Sequence, residues 1–222
     1  MAKLVWDLDS ERSYTSGIDH VVLYKKLNNE YQTGVVWNGV TSLSEAPEGA
    51  ETSSQYADNI EYVKLTSAET YGLTIEAFSS PVEFDSCDGS ATLAPGITIG
   101  QQGRDAFGLS FRSYKGLGED QKNSYELAIV YGCKASPSEM PHETINDSPE
   151  PASLSWEITS TATSEVPDGF QPTAVVRIDS ATVSASALAE IEDALYGSAS
   201  TEAHILTPVE VYNIVTGNTD DE

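Results

Sequence analysis

Tyr125-Glu126-Leu127-Ala128-Ile129-Val130-Tyr131 carries a large side chain at every second position. A strand turns successive side chains to opposite faces, so Tyr125, Leu127, Ile129 and Tyr131 fall on one side of a sheet and the smaller or charged residues on the other. Leu154, Trp156 and Ile158 repeat the pattern around Ser155 and Glu157. Both segments read as strands of half-exposed sheets. Outward from them, β-branched and aromatic runs at 21–25, 31–37, 60–65, 72–78, 97–101, 106–114 and 173–179 predict further strands. Leu27-Asn28-Asn29-Glu30 marks a hairpin, and Lys115-Gly116-Leu117-Gly118 and Pro167-Asp168-Gly169 are turns between strands. Strands joined by short turns favour antiparallel pairing over a doubly wound α/β topology. The expectation is a mainly β chain, an antiparallel β-sandwich or open barrel.

Helical signals are few. Leu188, Ile191 and Leu195 recur at helical spacing between Ser184, a cap, and Gly197, a stop, which predicts one packed flanking helix over about 185–196. Thr207-Pro208-Val209-Glu210 combines an N-cap, a proline at the first helical position and a capping-box acid, so a shorter helix should follow. Single helical turns are expected at 66–69 and 81–84. Residues 1–17 read as an N-terminal arm, 18–217 as the sandwich domain with a long loop at 41–58, and 218–222 as an acidic C-terminal tail. The proline-bearing stretch 136–151 reads as an excursion within one sandwich rather than a linker between two domains.

The 222 residues suffice for a core without metal or disulfide staples. Thirty-five acids against eleven bases give a formal net charge of −24. That charge opposes non-specific attachment to the phosphate backbone of nucleic acid. It is uneven: ten basic and nineteen acidic residues up to Lys134 net −9, whereas beyond it Arg177 alone faces sixteen acids, net −15. A broad solvated surface, or a water-filled cavity, must accommodate them. Met1-Ala2-Lys3-Leu4-Val5-Trp6-Asp7 meets an acid too soon for a signal-peptide core, and no run reaches the length of a membrane span.

Chemistry-bearing constellations are weak. Cys87 and Cys133 form no C-x-x-C pair, and His20, His142 and His204 are scattered, so neither a metal nor a cofactor is implied. Gly100-Gln101-Gln102-Gly103-Arg104 lacks the ending of a phosphate cradle. Asp85-Ser86-Cys87-Asp88-Gly89 lacks the donor spacing of a calcium loop. An acid-based hydrolase would need carboxylates brought together by folding from separate strands. A carbohydrate-binding or surface-binding module would need its Trp and Tyr residues on an exposed platform.

A different reading comes from an ordered set of short segments. These are Val36-Trp37-Asn38-Gly39-Val40-Thr41, Pro47-Glu48-Gly49-Ala50-Glu51, Tyr56-Ala57-Asp58-Asn59, Thr74-Ile75-Glu76-Ala77-Phe78 and Glu83-Phe84-Asp85-Ser86-Cys87-Asp88-Gly89. Ile99-Gly100-Gln101-Gln102-Gly103-Arg104, Phe107-Gly108-Leu109-Ser110-Phe111-Arg112, Val130-Tyr131-Gly132-Cys133-Lys134-Ala135-Ser136-Pro137-Ser138 and Ser148-Pro149-Glu150 to Ser155-Trp156-Glu157 continue it. Together they resemble the major tail tube proteins of long, non-contractile-tailed bacteriophages, of the siphovirus type, most strongly over 34–157 and less after Phe170. Members of that family often carry a Gly-Asn-Asp turn where this chain has Gly116-Leu117-Gly118-Glu119-Asp120, so no role is carried over to that loop.

The resemblance implies a non-enzymatic virion protein: a β-sandwich with a flanking helix, stacked as rings of usually six copies into the tube through which viral DNA is ejected. It implies self-assembly, contacts with the tape measure protein, the tail terminator and the distal tail initiator, and residence in the host cytoplasm before the virion tail. No cofactor, specific DNA binding or membrane insertion is implied. Carboxylates lining the channel would repel DNA and let it slide. Outward-facing strand acids, among them Glu61, Glu76, Glu126 and Glu157, are the candidates for that lining. Trp6, Tyr14, Trp37, Pro47 and Tyr56 are the candidate inter-subunit contacts.

Overall fold

A computed structural model describes residue 6 and residues 12–142, 144 and 151–217. In chain order the strands are β1 (Ser13–Leu27), β2 (Glu30–Tyr31), β3 (Val35–Val36), β4 (Val40–Glu45), β5 (Thr52–Ala57), β6 (Ile60–Thr66) and β7 (Gly72–Ala77). A helical turn, Val82–Phe84, runs into the short helix α1 (Asp85–Asp88). Then come β8 (Ala91–Ala94), β9 (Ile97–Ile99), β10 (Phe107–Leu117), β11 (Asp120–Ala135), β12 (Leu154–Thr159) and β13 (Val175–Asp179), followed by α2 (Ala185–Tyr196) and α3 (Pro208–Thr216).

Every strand pairing is antiparallel, and the fold is the expected sandwich. What makes it a sandwich is the behaviour of β11. Its middle pairs with β13 from Glu126 to Val130, whereas Lys134 and Ala135 at its end pair with β12. Between them Gly132 adopts φ +59°, a left-handed conformation that lets the strand leave one sheet for the other. Sheet one is β3 and β2 on β1, then β10, β11 and β13; sheet two is the end of β11 followed by β12, β7 and β4.

Two cores result. Between the sheets lie Leu23, Ile75, Phe84, Phe107, Leu109, Val130, Trp156 and Ile158. Trp37 joins them, with its ring 4.5 Å from Phe84 and 5.5 Å from Trp156, and donates Nε1–H to Ser79 O at 2.9 Å. The opposite face of sheet one packs Val22, Tyr24, Leu127, Ile129 and Ile178 against Ile191 and Leu195 of α2 and Val211 of α3. Here the half-exposed reading of 125–131 is corrected: residues 127–131 are buried on both faces, because helices cover the side that solvent would otherwise occupy. β12 does keep the half-exposed pattern.

Local signals explain the boundaries. Asn28 and Asn29 both take positive φ, the mirror-image turn that suits a two-residue hairpin. Ser184 accepts from Ala187 N at the start of α2, and Thr207 and Glu210 form the reciprocal capping box of α3. Tyr24 Oη donates to Leu195 O at 2.7 Å, tying the end of α2 to β1.

Several segments differ from expectation. Ser13–Gly17, expected in the arm, is the start of β1, held by backbone pairing to β10; residues 1–5 and 7–11 lie outside the described set. The stretch 41–58 is largely strand rather than loop, since β4 joins sheet two and β5 pairs β6 in a hairpin of its own. Residues 66–69 make no helical turn, because Thr70 is drawn into a bridge with Glu48. Residues 143, 145–150 and the tail 218–222 lie outside the described residues, so the excursion at 136–151 is only partly covered.

Candidate functional site

Because Leu154, Trp156 and Ile158 point into the core, Ser155, Glu157 and Thr159 point out of sheet two. The register puts Glu157 opposite Thr74 and Ser155 opposite Glu76, and on the far side Ser44 and Ser42 meet Thr74 and Glu76. The outer face is thus a field of hydroxyls around two diagonal carboxylates. Ser42 Oγ donates to Glu76 at 3.0 Å, and Lys134, opposite Thr159, is the cation at its margin. β4 closes this sheet and, among the described strands, pairs with β7 alone. Since Ala46 N donates to Gly72 O, alternation turns the backbone groups of Leu43 and Glu45 away from β7, toward the open edge.

The four candidate lining acids therefore separate. Glu76 and Glu157 share the outer face of sheet two. Glu61 lies on the β5–β6 hairpin, 3.4 Å from Lys64. Glu126 lies on sheet one, 3.0 Å from Lys115 and 3.7 Å from Arg177. Lys115 also reaches Asp179 at 2.9 Å, and Arg177 pairs with Glu45, so five side chains alternate in charge there. Arg112 holds Asp19 and Glu192, Arg104 holds Asp88, and Lys25 holds Asp105. Cations are thus engaged around sheet one, leaving the outer face of sheet two acidic.

The candidate contact residues also separate. Trp6 is 74% exposed and Tyr56 70%, and Pro47 is exposed too. Tyr14 lies over the Gly116 backbone, where no Cβ stands in its way, and is partly exposed. Trp37 does not belong with them. At 3% exposure it is a core residue of its own subunit, placed by the aromatic stack with Phe84 and Trp156. An aromatic residue next to an Asn-Gly turn looks exposed in sequence, and it is packing against distant residues, Phe84 and Trp156 of β12, that buries it.

The sequence reading also missed the projecting hairpins. Among the described strands β5 and β6 pair only with each other, around Asp58 and Asn59 at positive φ, and Tyr56, Ile60, Tyr62, Val63 and Leu65 are all exposed. β8–β9 is a second such hairpin, exposing Leu93 and Ile97. The available signal was the run Ile60-Glu61-Tyr62-Val63-Lys64-Leu65, whose apolar residues occupy both parities of a strand.

As to chemistry, burial pushes the Cys87 thiol up to about 11, with Asp105 and Asp88 adding to it against Lys25 and Ser86, and burial raises the Cys133 thiol as well. Among the described residues no three His, Cys, Asp or Glu side chains come together to hold a metal. No described helix is long and apolar enough to cross a membrane.

No protein-family model matches the chain, and no curated protein matches it. Among solved structures it is similar to a chain of the extracellular contractile injection system PVC sheath-tube complex in its extended state, at 10% identity over 72% of this chain and 88% of that one, with a TM-score of 0.33. It is also similar to a chain of the 6-fold symmetrised anti-feeding prophage (AFP) baseplate, at 9% identity over 74% and 97% of the two chains, with a TM-score of 0.35. At this level of superposition the likeness decides neither fold nor function.

Proposed function

We propose that this chain is a non-enzymatic structural subunit of a bacteriophage tail tube of the long, non-contractile type. Copies join laterally into rings, six in the family it resembles, and the rings stack around a conduit for DNA. The single observation that carries the reading is sheet two: its outer face is hydroxyl and carboxylate, and its last strand, β4, has an open edge among the described residues. An open edge with regular backbone groups is a template for another chain. Ring closure removes such edges without changing the fold. The outer face would then line the channel, with Glu76 and Glu157 repelling phosphate and Ser42, Ser44, Thr74, Ser155 and Thr159 holding water on the wall.

In this assembly the tape measure protein, tail terminator and distal tail initiator are the expected companions. The subunit would be made in the host cytoplasm and end in the virion tail. DNA passes without being bound.

The edge is tested at Glu45, whose N–H faces outward. Glu45→Ala removes the carboxylate and its ion pair with Arg177 but keeps the backbone donor, whereas Glu45→Pro removes the donor. The reading expects rings from the alanine variant and none from the proline variant, both folded by circular dichroism. Rings from both would show that β4 is not the lateral edge.

A further inference from the structure

The basic side chains of the chain are engaged within it, with one exception. Lys25, Lys64, Arg104, Arg112, Lys115 and Arg177 each hold a carboxylate. Lys26 lies 4.9 Å from the ring centre of Tyr31 and Lys122 4.4 Å from that of Tyr114, and Arg12 is engaged too. Among the described residues Lys134 is the lysine left without a carboxylate or a ring. In a chain with thirty-five acids and eleven bases, carboxylates are not scarce.

The place of Lys134 follows from the change of sheet in β11. Cys133 and Ala135 are buried between the sheets, so alternation turns Lys134 to the outer face of sheet two, where it is exposed. Its register partner is Thr159, which makes Glu157 a diagonal neighbour on the same face, about 7–8 Å away between backbones. We infer that Lys134 is the residue of this face that touches the passing DNA, its ammonium meeting phosphate oxygens, an inference that rests on the channel proposed above and names the group that meets the cargo. In a ring, every copy sets Lys134 at one height, so each ring carries a narrow positive belt beside the acids Glu76 and Glu157. An ammonium is a compact point charge on a flexible stem, without the fixed fork of a guanidinium, and can follow a phosphate that moves. A single exposed ion contact is weak. As the duplex advances each contact is exchanged for the next, which slows and centres the DNA without holding it.

Phage carrying Lys134→Gln or Lys134→Arg test the contact, with tails first counted by electron microscopy and ejection then timed over a range of salt. The glutamine variant should eject about twofold or more faster than the parent at low salt, because its phosphate contacts are gone. The difference should close near 1 M salt, where the screening length is only ~3 Å, and the arginine variant should stay near the parent rate. Equal rates for the parent and the glutamine variant at low salt, from intact tails, would overturn the phosphate contact and leave the tube standing. Tails lost with glutamine and restored with arginine would also overturn it, assigning the ammonium to a carboxylate of a neighbouring copy. A parent chain that forms no particle at any concentration or salt would overturn the tube reading and this inference together.

Discussion

Arg112 and Asp19 face each other across β1 and β10, with Nε 3.0 Å from Oδ1 and Nη2 3.4 Å from Oδ2. A bulge in β1 after Asp19, where His20 takes φ +51°, sets the position of the pair. Tyr114 donates to the same carboxylate at 2.6 Å, and Arg112 also reaches Glu192 of α2 at 3.2 Å. One guanidinium therefore ties two strands to a helix. Arg112→Ala should lower unfolding stability by about 2 kcal/mol, the scale of charged hydrogen bonds, reduced by partial exposure, as measured by urea denaturation.

The same pair predicts acid sensitivity. Burial raises the Asp19 pKa, but hydrogen bonds from Arg112, Tyr114 and His20 outweigh burial and hold it below the usual range. Asp179 is lowered mainly by Lys115, while Asp85, raised by burial and by Asp88 and Glu83, acts in the opposite direction. A carboxyl with a depressed folded-state pKa gives stability that is complete above its unfolded value of about 3.9 and is lost as pH falls through the folded value. Asp19→Asn should be less stable than the parent at neutral pH and lose less on acidification from about pH 5 to pH 2. Parallel stability profiles would remove Asp19 from the account.

Gly132 is where β11 changes sheets, and a Cβ there would sit 2.5 Å from Thr161 O, with φ already at +59°. Gly132→Ala should cost about 2 kcal/mol or more, adding a left-handed backbone penalty to a backbone clash. Thermal melting checks this.

Trp37 and Tyr56 should behave oppositely. Trp37→Ala empties a core position and should destabilise the isolated subunit by about 3–5 kcal/mol. Tyr56→Ser, on the exposed hairpin, should change subunit stability by less than about 0.5 kcal/mol while weakening assembly. Denaturation and sedimentation of the two variants separate the effects.

Reversing charge on the outer face of sheet two should leave assembly intact and change what passes through it. A Glu76→Lys, Glu157→Lys double variant replaces two negative charges per subunit with two positive ones. Tubes carrying it should retain DNA at low salt and release it as salt rises, and phage carrying it should eject DNA slowly. Normal ejection by such phage would count against an acid-lined channel.

How much of this was legible in the sequence follows from how local each signal is. The caps at Ser184 and Thr207 act on amides within a turn, so α2 and α3 could be read directly. Period two located β12 and the core of β11, but not that helices cover the second face of 127–131, which depends on contacts with α2 and α3. Trp37 was misplaced for the same reason, since a strand more than a hundred residues away buries it. The split of the lining candidates was likewise hidden: alternation says that Glu76 and Glu126 leave a strand, whereas register says that only Glu76 shares a face with Glu157.

The most direct measurement of the central claim is electron microscopy of the purified chain over a range of concentration and salt. Screening a net charge of −24 should favour association, so rings or hollow tubes should appear as both rise. A chain that stays monomeric throughout, including on added tail initiator complexes, would contradict the tube subunit reading.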